Sequence, residues 1–396
     1  MTSKINIRDL IKPYTLGIIG GGQLALMLVE AAKNRGLKVC VQTKSKSDPA
    51  ALKADFIIEA DPLQNKGNKN LIKESKKIIF ENEWVKIDKL KQLGSDDLFI
   101  PKLEAIEPLV DRISQKRFID RLKLPTPKWI SSDLFKKSID YYLENWDFPL
   151  MAKTFKGGYD GKGNKKLANK DELNNFISEN NSDEWLIEEW IEFKNEFALI
   201  GSRDHKGKIR LFPMVETFQS QNVCDWVFSP AKINYEINLF ALNIFSSIVN
   251  ELDYVGVLGI EFFFGENGLL INEIAPRTHN SGHFSIEACS SSQFDQHICI
   301  SSDIEPPDIN LNSNGALMIN LLGLKNNYPL SIEQRYEKLS EIKNACLHIY
   351  GKAKENVGRK MGHVTFLLNE LKHEERLMKS ISIVKEVKKI WPSPHE

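Results

Sequence analysis

The stretch that decides the fold is residues 257–283, VLGIEFFFGENGLLINEIAPRTHNSGH. Two apolar and aromatic runs, 257–264 and 269–274, flank a Gly-Glu-Asn-Gly sequence at 265–268. This pattern is typical of a β-hairpin, because β-branched and aromatic residues favour strands while glycine and asparagine favour the tight turn between them. Residues 275–283 then carry no large apolar side chain. The sequence therefore predicts a hairpin that leads directly into a polar loop suited to a charged ligand.

The register of this hairpin decides whether two acids meet. If the loop is the three-residue form with Gly268 in the left-handed conformation, Gly265 pairs with Leu269 and Glu261 lies opposite Glu273. A slip of one residue would place the two carboxylates on opposite faces. We expect the register in which they face each other.

Two facing carboxylates repel each other unless a cation lies between them. Mg²⁺ takes oxygen ligands, and Asn272 can supply another. Acids that simply face water are the alternative. The expected faces favour the ligand, because Phe263 and Ile271 share the acidic face while the other face is filled by Ile260, Phe262 and Phe264. An apolar wall beside paired carboxylates suits a nucleotide with its Mg²⁺.

The composition is that of an ordinary globular protein without net charge. Of 396 residues, 42% are hydrophobic and 27% charged, and the 53 Lys and Arg residues equal the 53 Asp and Glu residues. This length predicts two or three domains, and the balanced charge gives no field that attracts nucleic acid or an anionic membrane. No apolar run approaches the roughly 20 residues of a membrane helix, and residues 1–10 are too polar for a signal peptide. We therefore expect a cytoplasmic protein.

The N-terminal region has the pattern of a β-α-β unit. Gly20-x-Gly22-x-x-Ala25 matches the dinucleotide fingerprint, in which a helix N-terminus faces phosphate. That fingerprint also requires an acid after the second strand, where this chain has Gln42 and Thr43, so a nicotinamide cofactor is disfavoured. The glycine sequence at residues 20–22 is therefore either a plain tight turn or a binding site for the polar end of another ligand. Glu81 and Glu83 follow a further strand, at the sheet edge where open α/β folds bind ligands.

A lysine and a glycine-rich loop follow in the centre of the chain. Lys153 ends an apolar strand, and GGYDGKG occupies residues 157–163. So many glycines lose much conformational entropy on folding unless the loop moves or brings its backbone close to a ligand. The loop is not a Walker A motif, because no Ser or Thr follows a Gly-Lys pair. We interpret it as a flap over phosphate groups, with a flexible hairpin tip as the alternative.

The later part of the chain predicts more strands, a helix and a second boundary. Strands at 185–191 and 193–202 carry acids, and a helix is predicted at 284–300. Residues 302–313 are rich in Pro, Asp, Asn and Ser, which indicates a boundary before a small β-rich module. Within that module, the glycines and cations of residues 350–363 suit an anion such as a phosphomonoester, and a solvated basic turn is the alternative.

In this order, Lys153, GGYDGKG, EEWI at 188–191, NEIAPRTHNSGH and YGK followed by GRKMGHV resemble the carboxyaminoimidazole ribonucleotide synthetases, ATP-grasp enzymes of purine biosynthesis. The likeness spans about residues 16–367. It implies a multidomain fold of the α/β and α+β classes. Its parts are a Rossmann-like pre-ATP-grasp domain at 1–110, an ATP-grasp domain at 111–305 with a mobile lid at about 125–192, and a small β-rich C-terminal domain at 306–396.

The resemblance also implies the reaction. ATP, bicarbonate and 5-aminoimidazole ribonucleotide would give the carboxyamino product, ADP and phosphate through carboxyphosphate, with Mg²⁺ bound. It implies these small-molecule partners and a homodimer, and neither nucleic acid nor a membrane.

The family's site residues carry over to the matching positions. The metal ligands are Glu261 and Glu273. Asp160 and Lys352 are the catalytic pair, expected to handle the proton of the substrate amine. The substrate contacts are Tyr159, Arg277, His279, Lys352 and Arg359. The ATP contacts are Arg112, Lys153, Gly158, Tyr159, Asp160, Gly161, Lys162, Gly163, Asn164, Glu188, Glu189, Trp190, Ile191, Glu196, Gln219, Asn272 and Glu273.

Three positions depart from the family pattern. Gln219 stands where the family often has histidine. Lys162 stands where relatives have arginine, which keeps the charge but not the bidentate fork. The N-terminal helix begins GGGQLALM rather than GGGQLGRM.

Other functions are less well supported. A formate-dependent glycinamide ribonucleotide transformylase would bind ATP in the same way, but the tyrosine in the flap and the YGK loop disfavour it. A nucleotide-dependent oxidoreductase would use the Gly20 turn and lacks the acid that this requires. A non-catalytic nucleotide-binding regulator would have lost the metal acids or the flap, and both are intact.

Overall fold

The computed structural model describes residues 12–155, 163–180, 185–325 and 328–394. Within these ranges the strands form three sheets, two of four strands and one of nine. The mixture of a parallel sheet with antiparallel sheets confirms the predicted combination of α/β and α+β parts. None of the helices in the described ranges is both long and apolar enough to cross a bilayer.

The N-terminal part is a parallel sheet flanked by helices, as the β-α-β pattern predicted. Its strands are β1 (Tyr14–Ile19), β2 (Val39–Thr43), β3 (Phe56–Glu59) and β4 (Ser75–Phe80), and its helices are α1 (Gln23–Asn34), α2 (Asn65–Glu74), α3 (Ile87–Lys91) and α4 (Leu103–Ile106). The strand order is β3-β2-β1-β4. The carboxyl ends of β1 and β4 are neighbours, which brings the Gly20 turn next to Glu81.

A small antiparallel sheet follows helix α5 (Arg112–Arg121). Its elements are β5 (Trp129–Ser131), α6 (Ser132–Lys137), α7 (Ile139–Asn145), β6 (Leu150–Thr154), β7 (Asn164–Leu167), α8 (Lys170–Glu179) and β8 (Trp185–Glu189). The strand order is β5-β8-β6-β7. Buried Phe135 and Trp185 anchor a separate hydrophobic core beneath it. This sheet has its own core and lies within the segment predicted as a lid.

The third sheet runs through the centre of the molecule and into the C-terminal region. Its strands are β9 (Asn195–Arg203), β10 (Ile209–Leu211), β11 (Val215–Ser220), β12 (Val223–Ser229), β13 (Gly256–Gly265), β14 (Gly268–Ala275), β15 (Gly315–Leu322), β16 (Cys346–Ile349) and β17 (Lys360–Leu368). The order is β14-β13-β9-β11-β12-β15-β17-β16, with β10 beside β9. Because β12 pairs with β15, the C-terminal strands extend the central sheet rather than form a sheet of their own.

The helices of this half pack on the central sheet. They are α9 (Tyr235–Glu251), α10 (Ser285–Ala288), α11 (Gln293–Ser301), α12 (Ile332–Ser340) and α13 (His373–Ile390). The single helix predicted at 284–300 is wrong, because Cys289 is extended and Ser292 starts a new helix with a capping box to Asp295. The break places Gln293 in the first turn of α11.

Glu261 and Glu273 face each other across the hairpin as predicted, but the loop between the strands differs from the predicted one. Gly265 pairs with Gly268, so the loop has two residues and not three, although Gly268 is left-handed with φ of 75°. A β-bulge after Glu261, at which Asn272 is the extra residue, restores the register and places Glu261 opposite Glu273.

The bulge also changes one predicted face. Ile271 was expected beside the acids, but it lies opposite Phe262, and both are fully buried in the main core. The expectation failed because it assumed strict alternation along the strand, which a bulge interrupts.

Candidate active site

The centre of the candidate site is the pair Glu261 and Glu273. These residues are direct cross-strand neighbours, so their side chains project from the same face of the hairpin. Glu261 Oε1 lies 3.2 Å from His279 Nε2. Glu273 makes no ion pair within the described ranges. Two carboxylates on one face, with an imidazole in contact with Glu261, leave a negative charge that a divalent cation would neutralise.

The two acids have opposite shifts in pKa. Burial raises the pKa of Glu273, and repulsion from Glu261 raises it further. Burial also acts to raise the pKa of Glu261, but the contact with His279 and the charges of Lys360 and Arg277 together outweigh it, and the pKa lies below its ordinary value. The site therefore opposes a second negative charge when no cation is bound.

A buried lysine–glutamate–lysine cluster lies beside the acids. The Glu188 carboxylate is 2.7 Å from Lys116 Nζ and 2.6 Å from Lys153 Nζ, and all three side chains are at least nine-tenths buried. Burial alone would raise the pKa of Glu188, but the two ammonium groups lower it to about 2. Lys153 Nζ also donates to Asn272 Oδ1 at 3.1 Å. The bulge residue therefore positions the lysine close to the paired acids.

Helix α5 closes one side of this cleft. Arg112 donates to Thr154 O at 3.1 Å, and it lines the same cavity as Glu273, Lys153 and Glu188. Gln115 exchanges two 2.8 Å hydrogen bonds with the main chain of Ile274. The helix is thereby fixed to strand β14, and Arg112 faces the cleft rather than bulk solvent.

A third acid lies on the same face of the sheet. Glu196 on β9 pairs with Phe263 on β13, two positions along β9 from Ala198, the neighbour of Glu261. Burial, together with repulsion from Glu261, raises the pKa of Glu196 to about 7, and hydrogen bonding to Gln219 lowers it in part. The structure therefore places Gln219 beside Glu196, whose carboxylate it contacts.

The strand predicted at 185–191 ends earlier, at Glu189. Residues 186–188 of β8 are paired on both sides, with β5 and β6, and Glu189 is paired with β6. Trp190 and Ile191 follow the last paired residue of β8. The backbone groups that could form hydrogen bonds with the edge of an adenine ring therefore lie just after the strand. Lys166 Nζ lies 4.2 Å above the Trp190 ring.

Most of the predicted flap lies outside the described residues. This applies to the predicted contacts Gly158, Tyr159, Asp160, Gly161 and Lys162. Gly163 is described, with φ of 77°, and its carbonyl accepts a hydrogen bond from Thr154 N at 2.8 Å. Asn164 pairs with Lys153 across β6 and β7. The described end of the flap is therefore anchored beside the buried lysine.

The glycine turn at the start of α1 is occupied by a carboxylate of the protein itself. Glu81 accepts a hydrogen bond from Gly22 N at 2.7 Å, and a Cβ at Gly20 or Gly22 would overlap this side chain. Burial raises the pKa of Glu81, and the backbone N–H groups at the helix N-terminus oppose that shift. The anion position of a dinucleotide fingerprint is thus filled, so of the two open interpretations the structure favours a tight turn.

This contact makes a specific prediction for Gly22→Ala. The backbone at Gly22, with φ of −80°, accepts alanine, so the change acts only by displacing Glu81. We expect it to lower the free energy of unfolding by about 1–3 kcal/mol, as overpacking does. Urea denaturation should show a much smaller loss for Gly22→Ala in a Glu81→Ala background. Equal losses in both backgrounds would contradict the contact.

The predicted substrate residue Arg277 is held by the N-terminal part. Arg277 Nε lies 2.5 Å from Glu83 Oε2, and its Nη2 donates to Glu83 Oε1 at 3.4 Å. Burial acts to lower the pKa of Arg277, but the Glu83 charge raises it above the ordinary value. The charges of Arg277 and Lys352 both act on Glu81. Groups from the N-terminal, central and C-terminal parts therefore converge around Glu81, and the charge of Arg277 also acts on Glu273.

The two predicted cations of the C-terminal loop differ in environment. Lys352 Nζ donates to Lys360 O at 2.6 Å and lies 5.4 Å from the centroid of the Tyr350 ring. Arg359 donates to Lys354 O at 3.0 Å at the exposed side of the loop. The structure thus brings Lys352 into the electrostatic reach of Glu81, whereas Arg359 stabilises the return of its own loop.

Sequence reasoning missed several residues of the site. Gln115 and Lys116 were given no role in the site from the sequence, and Glu83 was not matched to Arg277. Each acts through a partner that is distant along the chain, and no local spacing indicates such a partner.

Known proteins match this chain over nearly its full length. Three family models match it: the ribonucleotide synthetase preATP-grasp domain at residues 14–109, the ATP-grasp domain at 117–294 and the phosphoribosylaminoimidazole carboxylase C-terminal domain at 316–376. The N5-carboxyaminoimidazole ribonucleotide synthase of Synechococcus elongatus is 38% identical over 380 residues, 96% of each chain.

Solved structures give the same result. The Staphylococcus aureus N5-carboxyaminoimidazole synthetase complexed with ADP aligns with a TM-score of 0.84 and 32% identity, over 94% of this chain and 98% of that one. The Aspergillus clavatus N5-carboxyaminoimidazole synthase in complex with ADP and 5-aminoimidazole ribonucleotide gives a TM-score of 0.84 and 28% identity, over 95% and 99% of the two chains. The chain therefore belongs to the N5-carboxyaminoimidazole ribonucleotide synthase family of ATP-grasp enzymes.

Proposed function

We propose that the protein carboxylates 5-aminoimidazole ribonucleotide with bicarbonate and ATP, giving N5-carboxyaminoimidazole ribonucleotide, ADP and phosphate. The observation that carries the proposal is the pair of facing acids, Glu261 and Glu273, beside the buried ammonium of Lys153. This combination suits the terminal phosphates of a nucleotide with a divalent cation. The relatives named for this reaction support the choice of substrate.

The chemistry of the acids fits Mg²⁺. Glu261 and Glu273 supply carboxylate oxygens from one face, and Asn272 follows as a neighbouring amide. Their mutual repulsion, expressed in the raised pKa of Glu273, would be relieved by a cation. When bound, Mg²⁺ neutralises the negative charge of the terminal phosphates during phosphoryl transfer.

The first step forms the activated carboxylate. A bicarbonate oxygen attacks the γ-phosphorus, the bond from that phosphorus to the bridging oxygen breaks, and ADP leaves. Lys153 is the protein cation placed for this charge, because Glu188 and Asn272 fix its ammonium group. Arg112 and Glu196 complete the nucleotide site, with Glu196 suited to accept hydrogen bonds from the ribose hydroxyls.

The second step forms the carbon–nitrogen bond. The substrate amine attacks the carbonyl carbon of carboxyphosphate, or the CO₂ that it releases, phosphate departs, and the amine loses a proton. Arg277, His279, Lys352 and Arg359 are proposed to bind the ribonucleotide. Asp160, which lies outside the described residues, is proposed to accept the proton near Lys352. A closed flap would keep water away from carboxyphosphate.

Asp160→Asn is expected to abolish carboxylation while leaving ATP binding near normal. Asparagine keeps the shape of the side chain but cannot accept the proton, so the rate should fall about 10²–10⁴-fold. Product formation and ATP affinity would be measured together. Asp171→Asn, at an exposed position in the first turn of α8, is the control. Equal loss of ATP binding and carboxylation would reject Asp160 as a substrate-side group.

Substrate omission tests the proposed function. Purified protein with ATP and Mg²⁺ should release ADP and form carboxylated product together only when both bicarbonate and 5-aminoimidazole ribonucleotide are present. The same assay with formate and glycinamide ribonucleotide tests the transformylase alternative. Equal ADP release with that pair would overturn the proposal.

The quaternary structure is proposed from the resemblance, and the location from the composition of the sequence. A cytoplasmic homodimer is expected, and light scattering of the full chain should give twice the 45.2 kDa of one chain. A mass of one chain would reject the dimer.

A further inference from the structure

A row of buried polar side chains joins the loop of His279 to the loop of Lys352. We name Gln293, His283, His363 and Tyr350 the histidine bridge; each is at most 1% exposed. We propose that the histidine bridge is a positioning network that fixes Lys352 relative to His279. It would thereby fix the residues around the substrate amine relative to the residues around the transferred phosphoryl group. The inference rests on the proposed function, since it concerns how the two halves of that reaction are aligned.

At the first end of the bridge, the Gln293 side chain forms hydrogen bonds with both the N–H and the carbonyl group of His279. His279 N donates to Gln293 Oε1 at 2.8 Å, and Gln293 Nε2 donates to His279 O at 2.7 Å. The same amide nitrogen lies 3.1 Å from His283 Nδ1. Because an amide nitrogen only donates, His283 Nδ1 accepts and its ring carries the proton on Nε2. His279, the partner of Glu261, is therefore connected to His283 through the Gln293 side chain.

The middle of the bridge crosses from the central region to the C-terminal strands. The His283 and His363 rings lie 5.0 Å apart, and the His363 ring stacks on His348 at 4.4 Å. His348 Nε2 in turn lies 2.6 Å from Glu287 Oε1 on α10. Burial lowers the pKa of both His283 and His363 well below the ordinary value, so neutral rings face each other. The contacts of His283 with His363 and of His348 with Glu287 thus both connect the central region to the C-terminal strands.

The second end reaches the loop of Lys352. Tyr350 Oη lies 2.8 Å from His363 Nδ1, and Tyr350 comes two residues before Lys352. Gly351 between them is left-handed, with φ of 67°, which turns the chain so that Lys352 Nζ lies 5.4 Å from the Tyr350 ring. The ring fixed by His363 is therefore the surface against which the lysine packs.

The position of Lys352 matters because the residues proposed to bind the ribonucleotide come from two parts of the chain. The acids, Lys153 and His279 belong to the central region, whereas Lys352 comes from the C-terminal loop. A misplacement of about 1 Å between reacting groups can lower a rate about 10²-fold. A rigid network between these loops would set that distance without touching substrate.

Tyr350→Phe tests the proposal, because it removes one hydroxyl and keeps the ring. Tyr254→Phe is a matched control: Tyr254 is also fully buried, and its hydroxyl donates to Val257 O at 2.8 Å outside the bridge. We expect Tyr350→Phe to lower kcat/KM for 5-aminoimidazole ribonucleotide about tenfold, with KM for ATP unchanged. The amount of carboxylated product formed for each ADP released should also fall. The control should change neither quantity.

A second variant keeps the test decisive. His363→Phe keeps a stacking ring but removes both nitrogens, and the double variant with Tyr350→Phe should be no worse than His363→Phe alone. The proposal is overturned if Tyr350→Phe behaves like Tyr254→Phe, or if KM for ATP and for the ribonucleotide rise together. A wild-type protein that forms no carboxylated product would instead contradict the proposed function, so the two failures are distinguishable.

Discussion

Glu273→Gln is expected to abolish ATP turnover and, at the same time, to stabilise the protein in the absence of nucleotide. Glu273 is a proposed ligand of Mg²⁺, and loss of that ligand removes stabilisation of the transferring phosphoryl group. A loss of about 4 kcal/mol corresponds to about a 10³-fold fall in kcat. The side chain keeps its size, so little repacking is required.

The stabilisation follows from the direction of the pKa shift. The pKa of Glu273 is raised by burial and by Glu261, so the folded state holds its proton more tightly than the unfolded state. A raised carboxyl pKa contributes stability below the unfolded pKa and loses it as the pH rises through the folded pKa. At pH 7, above the ordinary pKa of a carboxyl group, the raised pKa of Glu273 therefore destabilises the free protein, and glutamine removes that effect.

Thermal unfolding with and without Mg²⁺ and ATP measures both halves of this prediction. Glu273→Gln should unfold at a higher temperature than wild type when no ligand is present, and should lose the additional stabilisation by Mg²⁺ with ATP. Glu266→Gln is the control, because Glu266 is exposed in the turn of the same hairpin. A Glu273→Gln variant that retains Mg²⁺-dependent stabilisation would contradict the assignment of this ligand.

Glu188→Gln is expected to have the largest effect on stability, about 3–5 kcal/mol of unfolding free energy. The change leaves the buried ammonium groups of Lys116 and Lys153 without their shared counter-charge. Breaking a buried ion pair from one side is costly, because the remaining charge cannot be solvated. ATP affinity should fall as well, since Lys153 loses the contact that holds it.

The pH dependence identifies the cause. The pKa of Glu188 is lowered to about 2, so its contribution is complete above about pH 4.5 and is lost as the pH falls toward 2. Urea denaturation at pH 7 and pH 3 should therefore show a larger difference between wild type and Glu188→Gln at pH 7. Glu189→Gln is the neighbouring control: Glu189 pairs with exposed Lys128 at 3.6 Å, and its loss should change stability by at most about 1 kcal/mol. Similar effects at positions 188 and 189 would contradict the cluster.

The features that depend on local sequence could be predicted, and those that depend on distant partners could not. Apolar runs around a glycine turn predicted the hairpin. The facing acids were predicted from a three-residue loop, whereas the loop has two residues and a bulge produces the same pairing. The bulge at Asn272 could not be predicted, because no local pattern indicates it and Asn272 contacts Lys153, which lies far away in the sequence.

The same limit applies to charge pairs. Nothing near Glu83 or Arg277 indicates that they meet across two parts of the chain. Glu81 was expected near a ligand because it follows a parallel strand, but its contact with the Gly22 turn depends on the order of strands β1 and β4. Sequence patterns thus located the edge of the sheet without revealing which groups already occupy it.

The most direct test of the metal and nucleotide site is a crystal structure of the protein with Mn²⁺ and a non-hydrolysable ATP analogue. Anomalous scattering should locate the metal between the carboxylates of Glu261 and Glu273, in contact with the terminal phosphates, with Lys153 directed at the same phosphates. A metal bound elsewhere, or phosphates remote from these two acids, would contradict the proposed enzyme.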